Sequence, residues 1–348
     1  MADISIGVIG AGGMGSRHVL NLQRYVKGAN VVAVYDLDQA RAKQVAEECG
    51  GVRAFSDPVQ LIQDADVDAV VIASPDPTHA EFVHECLRTR KPVLCEKPLA
   101  STAEAALSIV EEEQALGRRF VSVGFMRRFD QEHVTVHQMV EAGEIGRPIL
   151  FKGVHRNPMI LSYQSGSGVV TTSAIHDIDS ARWLLGQEVT EVYVRGVRTH
   201  SSFGEGTRDM LLLQMTLRGN CLAMVEVSVA IEYGYEVSAE VVGERGAAVT
   251  LQPDVALLRA RQTRSVVVPT SYLVRFQDAY VQELTAWVES IQSGQPFPGA
   301  NAWDGFMSLL VSDACIQSLQ SGKPEPVPTP EKPAFYQQRE ARGEAHAD

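Results

Sequence analysis

Residues 4–15 read ISIGVIGAGGMG, an apolar run that passes directly into a glycine-rich turn. Such a run is typical of a parallel strand buried on both faces, and the pattern after the turn predicts a helix over residues 14–26. In a strand–turn–helix unit, the spacing G-x-G-x-x-G permits a tight turn, a close approach of the backbone to a pyrophosphate, and close packing of the helix on the strand. The stretch therefore predicts a dinucleotide site, with contacts from Gly10, Gly12, Gly13, Met14 and Gly15.

The second predicted strand, residues 30–35, ends at Asp36, twenty-one residues after Gly15. A carboxylate at this place accepts hydrogen bonds from both hydroxyls of an adenosine ribose, and it repels a 2′-phosphate. We therefore expect NAD rather than NADP as the cofactor. Arg41 follows five residues later, which leaves weak use of NADP open. The alternative for the whole pattern is a glycine turn beside a surface aspartate.

Strand and helix patterns alternate as far as residue 124 and predict a doubly wound parallel sheet, the Rossmann arrangement. The loop after the predicted strand 69–73 contains Ser74 and His79. This loop lies at the same sheet edge as the glycine turn, so we expect both residues to border the cofactor. A proline-stiffened connection, with Thr78 as the cap of the next helix, is the alternative.

The next strand, residues 92–95, ends abruptly in Glu96-Lys97-Pro98. Proline stops the strand and biases Lys97 toward an extended backbone. An extended lysine at the carboxyl end of a buried parallel strand points into the crevice where such sheets bind ligands. We predict that Lys97 contacts a substrate lying on the cofactor and that Glu96 and Lys97 also border the cofactor. A solvated lysine paired with Glu96 is the alternative.

After residue 124 the pattern changes to long strand candidates separated by compact turns, which predicts an antiparallel sheet. These strands cover residues 149–155, 189–200, 210–217, 221–230, 235–242 and 247–251. Helices are predicted at residues 129–142, 170–185, 277–293 and 302–321. We expect an NAD-binding domain at residues 1–124, a substrate-binding and oligomerisation domain at 125–322, and a proline-rich charged tail without its own fold at 323–348.

The helix predicted at residues 170–185 carries a second group of polar side chains. Thr172 lies four residues before His176 and Asp179 three after it, so the three share one face of an α-helix. A histidine among polar groups, in a chain that binds a dinucleotide, is a candidate general base. The alternatives are a structural histidine bonded to Asp179 and a metal ligand. No second His or Cys lies at ligand spacing, which argues against the metal.

Charge and cysteine content exclude several classes of protein. The net charge of −12 argues against a nucleic-acid partner and an anionic membrane surface. The five cysteines are odd in number and widely spaced, which argues against a disulfide framework and suits a reducing compartment. With no basic leader and no apolar run of about 20 residues, we expect a cytoplasmic protein.

Taken together, these stretches resemble the Gfo/Idh/MocA oxidoreductase family and, within it, the enzymes that act on inositols. The resemblance extends from near the N-terminus to about residue 320. Its motifs are the glycine turn with Asp36, Glu96-Lys97-Pro98, residues 124–130 (GFMRRFD), 155–158 (HRNP), 175–179 (IHDID), 275–280 (RFQDAY) and 302–305 (AWDG).

The resemblance implies a Rossmann domain followed by an open-faced antiparallel sheet, with substrate between them and metal-free hydride transfer to NAD. It implies that Lys97 hydrogen-bonds and polarises the reacting hydroxyl and that His176 accepts its proton. It also implies that further residues hold the other hydroxyls, namely His155, Asn157, Asp179, Tyr235 and Tyr280. A homotetramer or homodimer is expected, because the open sheet face is suited to burial against another subunit.

One position departs from the family pattern. The family usually has an aspartate one turn before the histidine, and this chain has Thr172. Threonine orients an imidazole by a hydrogen bond but adds no charge. We expect His176 to be a weaker base than in relatives and Lys97 to carry more of the proton transfer. The expected reaction is oxidation of myo-inositol to the 2-ketone. A scyllo-inositol, an aminocyclitol or a pyranose sugar stays open as substrate, as does a non-catalytic NAD sensor.

Overall fold

The structure, a computed structural model, describes residues 2–158, 166–201, 203–251 and 257–337. The chain forms two compact units. The first comprises the described parts of Met1–Gly124, Leu284–Phe306 and Pro330–Asp348, and the second those of Phe125–Glu283 and Met307–Thr329. The break after Gly124 coincides with the predicted domain boundary. By contrast, residues 284–306, which were predicted to belong to the second domain, lie in the first unit.

The strands follow the apolar runs of the sequence closely. They are β1 (Ile4–Ile9), β2 (Ala29–Tyr35), β3 (Arg53–Phe55), β4 (Ala69–Ile72), β5 (Val93–Glu96), β6 (Val121–Gly124), β7 (Pro148–Arg156), β8 (Val189–Val197), β9 (Met210–Leu217), β10 (Cys221–Ser228), β11 (Glu236–Gly243), β12 (Ala247–Val249), β13 (Leu257–Ala260), β14 (Thr263–Val266), β15 (Ala300–Asn301) and β16 (Glu325–Pro326).

Several of the helices begin at side-chain caps or glycines. They are α1 (Gly13–Tyr25), α2 (Gln39–Glu48), α3 (Pro58–Gln63), α4 (His79–Arg88), α5 (Ala103–Leu116), α6 (Gln131–Glu141), α7 (Ser167–Val169), α8 (Ile175–Leu185), α9 (Tyr272–Arg275), α10 (Gln277–Ser293), α11 (Ala302–Ser321) and α12 (Ala334–Gln337). The side chains of Asp38, Asp57 and Thr102 accept hydrogen bonds from the first turns of α2, α3 and α5. These caps fix the loops between strand and helix in the first unit.

The first unit is built on a parallel sheet in the order β6-β5-β4-β1-β2-β3, with the short strand β15 antiparallel at the β6 edge. Every residue of β4, β5 and β6 is buried, as expected for strands covered on both faces. The strand order reverses direction between β1 and β4, which is the place where such sheets bind ligands at their carboxyl ends. The predicted doubly wound sheet is confirmed.

The second unit is built on a seven-stranded sheet in the order β12-β11-β7-β10-β9-β8-β16. The sheet is mixed, whereas a purely antiparallel one was expected, because β7 and β10 run parallel. The helical segment between β7 and β8 is a crossover that returns the chain to the same end of the sheet. The hairpins β8–β9 and β9–β10 then bring β10 beside β7 in the same direction.

Only one face of this second sheet is covered by the helices of its unit. Along β9 buried and exposed residues alternate, and its buried side chains join a core with Ile178 and Leu184 of α8. On the opposite face, Leu212, Leu222 and Met224 are each about half exposed, at 47%, 54% and 47%. The open-faced sheet with helices on one side is thus confirmed.

The hairpin β13–β14 was not predicted from the sequence. Its two turn residues, Arg261 and Gln262, have positive φ angles of 49° and 63°. Turns of this kind usually contain Gly or Asn, and neither is present here. The sequence therefore lacked the signal by which a two-residue hairpin is recognised.

The described part of the predicted tail makes fixed contacts. Strand β16 pairs with β8. Further on, Tyr336 is buried and its hydroxyl donates to Glu113 Oε2 at 2.5 Å. Glu113 Oε1 also accepts from the backbone N–H groups of Phe120 and Val121, both at 2.6 Å. Burial raises the pKa of Glu113, and the three hydrogen bonds oppose that rise only in part.

We expect Tyr336→Phe to lower the free energy of unfolding by about 1–3 kcal/mol, because it leaves a buried carboxyl group with one donor fewer. Urea unfolding of the variant and the parent protein measures the change. Tyr193→Phe is the matched control, since among the described residues its hydroxyl accepts from the exposed Arg195 alone, at 2.8 Å. The control should change stability by less than about 0.5 kcal/mol. Equal losses in both variants would contradict the role given to Tyr336.

Candidate active site

The glycine turn between β1 and α1 has the geometry of a phosphate-binding loop. Gly10 has φ +94°, and a Cβ on Gly15 would lie 1.7 Å from the carbonyl oxygen of Gly10. Around Gly12 and Gly13 the space is open. Helix α1 has no side-chain cap, so its first amide groups face that open space. These features fit a dinucleotide pyrophosphate at the N-terminus of α1.

Asp36 is fixed beside this turn at the end of β2. Its Oδ2 accepts from the backbone N–H of Ala11 at 2.7 Å and its Oδ1 from that of Asp38 at 2.8 Å. The Arg41 guanidinium lies 3.5 Å from Asp36 Oδ1 and 3.3 Å from Asp38 Oδ2. Two carboxylates therefore balance the charge of Arg41, whose position had left weak use of NADP open. The arrangement fits NAD.

Glu96, at the end of β5, is held by a histidine that the sequence analysis did not single out. Its Oε1 lies 2.7 Å from Nε2 of His18, and both side chains are buried. Burial opposes ionisation of Glu96, but His18 and the nearby Lys97 outweigh it and lower its pKa. Glu96 was predicted to border the cofactor, but its Oε1 atom is already bonded to a protein side chain. The sequence could have indicated that His18 lies near this site, because it follows Gly15 by three residues and so shares its face of α1.

His79 ties two loops at this edge of the sheet. Its Nδ1 lies 2.7 Å from the carbonyl oxygen of Pro98, and its Nε2 lies 2.8 Å from that of Ser74. Both ring nitrogens face backbone acceptors, so His79 joins the two loops, and its predicted place beside the cofactor stays a prediction. Thr78 does not cap α4, because its hydroxyl donates to the carbonyl of Pro75 at 2.8 Å and makes no cap bond.

In the second unit, three of the predicted substrate residues come together. His155 lies on the buried face of β7, and Asn157 follows that strand. Tyr235 directly precedes β11, which pairs with β7. The Nε2 atom of His155 lies 3.3 Å from Asn157 Nδ2 and 3.4 Å from the Tyr235 hydroxyl. These groups form a compact polar cluster at one end of the β7–β11 pair.

A buried ion pair that sequence reasoning missed supports this cluster. Arg127 and Asp177 are 2% and 0% exposed, and Arg127 Nη1 lies 2.6 Å from Asp177 Oδ1. Asp177 Oδ2 lies 2.9 Å from His155 Nδ1. Burial opposes ionisation of Asp177, but Arg127 and His155 outweigh it and lower its pKa. Arg127 lies in the motif at residues 124–130 and Asp177 in that at residues 175–179, but nothing in the sequence indicated that the two side chains would be in contact.

Asp179 is held by a second arginine of the same motif. Arg128 donates to it from Nε, at 3.0 Å from Oδ2, and from Nη2, at 2.6 Å from Oδ1. Asp179 is 1% exposed. Because both oxygens accept from one guanidinium, the carboxylate is firmly oriented. Its predicted contact with a substrate hydroxyl stays a prediction.

The helix before His176 contains a π-helical turn over Val170–Ala174, where a continuous α-helix was predicted. The N–H of Ile175 donates to the carbonyl of Val170, five residues back. Thr172 lies inside this turn and donates its hydroxyl to the carbonyl of Gly168 at 2.6 Å. The regular α-helix predicted for Thr172 and His176 is therefore interrupted between them. His176 and Asp179 both lie in α8, so their three-residue spacing puts them on one helix face. Single π-helical turns are frequent at functional sites.

His176 itself is 7% exposed, and its ring meets the ring of Phe125 edge-on at 5.9 Å. Tyr280 is buried in α10, one turn after Phe276, whose ring lies 6.1 Å from that of Tyr235. The structure thus gives each predicted substrate residue of the second unit a place, and it brings His155, Asn157 and Tyr235 into mutual contact.

Other kinds of site were also considered within the described residues. No group of three or more His, Cys, Asp and Glu side chains there is arranged to hold a metal ion. No helix in those ranges is long and apolar enough to cross a membrane. A cavity of about 570 Å³ in the first unit is lined by residues such as Arg118, Phe120 and Trp287, and it includes no predicted site residue.

Comparison with known proteins gives matches along nearly the whole chain. Residues 4–125 match the family described as "Oxidoreductase family, NAD-binding Rossmann fold", and residues 137–329 match its "C-terminal alpha/beta domain". An inositol 2-dehydrogenase of Rubrobacter xylanophilus is 49% identical over 96% of both chains. The inositol 2-dehydrogenase 2 of Saccharopolyspora erythraea is 44% identical over 96% of this chain and 98% of its own.

Two solved structures from Lactobacillus casei share the fold. The myo-inositol dehydrogenase in complex with NAD(H) and myo-inositol has a TM-score of 0.92, at 32% identity over 96% of this chain and all of its own. The scyllo-inositol dehydrogenase with NAD(H) and scyllo-inositol has a TM-score of 0.87, at 25% identity over 93% and 99%.

The predicted cofactor and class of enzyme are confirmed by these matches together with the glycine turn and Asp36. The chain belongs to the Gfo/Idh/MocA family of NAD-dependent oxidoreductases.

Proposed function

We propose that this enzyme oxidises a secondary ring hydroxyl of a cyclitol, myo-inositol first among candidates, to the ketone with NAD. The observation that carries the proposal is the polar cluster formed by the buried His155 and Tyr235 with the half-buried Asn157 in an NAD-dependent oxidoreductase. The names of the relatives, inositol 2-dehydrogenases, support the same substrate class. A scyllo-inositol is the second candidate, favoured by the similarity to the scyllo-inositol dehydrogenase.

In the proposed reaction Lys97 donates a hydrogen bond to the reacting hydroxyl, and His176 accepts the proton of that hydroxyl. Bound NAD supplies the acceptor for the hydride that leaves the ring carbon. The carbon loses two electrons with the hydride, the oxygen loses its proton to His176, and a C=O bond forms. Positioned acid–base groups of this kind contribute about 10²–10⁴-fold in rate.

The remaining hydroxyls of a cyclitol need fixed polar partners, which we assign to His155, Asn157, Asp179, Tyr235 and Tyr280. The geometry of the second unit supports this assignment, because Asp177 and Arg128 hold His155 and Asp179 in fixed orientations. A site that hydrogen-bonds each hydroxyl discriminates strongly, since a wrong isomer leaves buried polar groups without partners.

We also propose that the enzyme works as a homotetramer in the cytoplasm. The half-exposed Leu212, Leu222 and Met224 on the open sheet face support burial against a second copy. The five cysteines are all free thiols, which supports a reducing compartment.

With NAD and a panel of inositols and sugars, we expect NADH absorbance to rise fastest with a cyclitol. Lys97→Ala should lower kcat at least about 10²-fold while NAD binding persists, because it removes the hydrogen bond that polarises the hydroxyl. Lys43→Ala, at an exposed position on α2, is the matched control. No turnover with any polyol would support a non-catalytic NAD sensor. Near-normal turnover of Lys97→Ala would remove Lys97 from the mechanism.

Thr172→Asp tests whether the missing carboxylate matters for His176. A carboxylate near the imidazole stabilises its protonated form, so the acid limb of the pH profile of kcat/KM should move up by about 1 unit. Thr172→Asn introduces a side chain of nearly the same shape as aspartate but without its charge. The pH profile of kcat/KM should therefore be the same in Thr172→Asn as in the parent enzyme. An unchanged profile for Thr172→Asp would show that Thr172 does not weaken the base.

Asp36→Ser tests the preference for NAD. We expect the ratio of kcat/KM with NADP to that with NAD to rise at least about tenfold, because the charge that repels a 2′-phosphate is lost. Asp57→Asn is the control: it removes a carboxylate at the start of α3, and its side-chain oxygen still caps that helix. A ratio that stays unchanged in Asp36→Ser would contradict the role given to this carboxylate.

A further inference from the structure

Four side chains in the second unit form a chain of contacts. Arg127 binds Asp177, Asp177 binds His155 at Nδ1, and His155 Nε2 faces the Tyr235 hydroxyl. Burial raises the pKa of Tyr235, and the charge of Arg127 opposes that rise. All four residues are at most 3% exposed, so water cannot replace any of these bonds.

The contacts decide which nitrogen of His155 carries its proton. Nδ1 lies 2.9 Å from Asp177 Oδ2 and 3.1 Å from Arg127 Nη2. An unprotonated Nδ1 would turn its lone pair toward the carboxylate. A protonated Nδ1 donates a charge-assisted bond to Asp177, which is the stronger of the two arrangements. The shorter, charge-assisted bond to Asp177 thus favours the tautomer with its proton on Nδ1 over the tautomer that accepts from Arg127 Nη2.

Burial beside the Arg127–Asp177 pair favours a neutral His155. Asp177 and Arg127 already balance each other, and a second buried cation would leave an uncompensated charge. Nε2 is then an acceptor, and two groups near it suit this polarity. The Tyr235 hydroxyl, 3.4 Å from Nε2, and Asn157 Nδ2, 3.3 Å from it, can both donate to this nitrogen. Both bonds are at the long end of the range, so a substrate hydroxyl can compete for Nε2.

We infer that Asp177 is a specificity-determining positioning residue, which with Arg127 fixes His155 as an acceptor and so selects a substrate hydroxyl that donates. The inference rests on the proposed function for the identity of the ligand as a cyclitol. Asp177 itself does not touch the substrate in this account. Asp177 acts by making Nε2 of His155 a hydrogen-bond acceptor. A substrate group that resembles a hydroxyl in shape but has no donor proton cannot bond to that nitrogen.

A second triad in the same unit provides an internal control. Arg275 Nη1 lies 2.8 Å from Asp130 Oδ1, and Asp130 Oδ2 lies 2.6 Å from Nδ1 of His133. The chemistry matches that of Arg127, Asp177 and His155. Here, however, Nε2 of His133 is buried and has no hydrogen-bond partner among the residues that the structure describes. Asp130→Asn therefore perturbs a similar triad that does not include the proposed contact at His155.

The first test reads the proton directly in the wild-type protein. Neutron diffraction from deuterium-exchanged crystals should show deuterium on Nδ1 of His155 and none on Nε2. In Asp177→Asn, the amide oxygen accepts from Arg127 and the amide NH₂ donates to Nδ1, so the deuterium should move to Nε2. Deuterium on Nε2 in the wild-type protein would overturn the inference, whether or not the variant folds.

The second test uses monofluorinated deoxyinositols, in which fluorine replaces one hydroxyl that is not oxidised. Fluorine cannot donate a hydrogen bond to Nε2. For at least one ring position, wild-type kcat/KM should fall about tenfold or more below that of the parent inositol. Asp177→Asn should lose most of this discrimination, because Nε2 has become a donor. Asp130→Asn should keep it, even if its melting temperature falls.

Equal discrimination in Asp177→Asn and the wild-type enzyme would overturn the specificity role, because a merely structural residue would leave that ratio in place. Failure of the proposed function is a separate result. If the wild-type enzyme did not oxidise the parent inositol, the proposed function and the specificity role would both fall. The position of the proton on His155 would still show whether Asp177 sets its polarity.

Discussion

The buried pairing of Arg127 with Asp177 is the constraint on which the polar interior of the second unit depends. Taking two charges out of water costs several kcal/mol for each ion, and only good geometry with further hydrogen bonds repays that cost. Asp177 meets this condition by accepting from Arg127 and from His155. If stability were the only requirement, apolar side chains of similar volume could take the place of the pair. Its presence is explained by what it orients, namely an imidazole that faces Tyr235 and Asn157.

The first unit uses a related device at the end of β5. His18 holds Glu96 by a buried bond of 2.7 Å, and His79 joins the loops at Ser74 and Pro98. Lys97 stands between Glu96 and Pro98, so the backbone that carries it is fixed on both sides. In both units, therefore, residues proposed to meet substrate are supported by contacts with other protein side chains. Such support is what keeps a site close to its productive geometry.

Much of this could be predicted from the sequence. Apolar runs and glycines located β1, β9, α10 and α11 at the observed residues, because burial and turn geometry leave direct marks on local composition. Long-range pairing leaves no such mark. Arg127 and Asp177 are fifty residues apart, and no spacing rule joins them. The π-helical turn at Val170–Ala174 and the parallel pairing of β7 with β10 likewise depend on tertiary packing.

The central claim is that this enzyme moves a hydride from a ring carbon of a cyclitol to NAD. The most direct measurement uses myo-inositol deuterated at C2, with mass spectrometry of both products. The account predicts one deuterium in each NADH formed and none in the ketone. Deuterium that stays in the organic product, or exchanges into water, would contradict it.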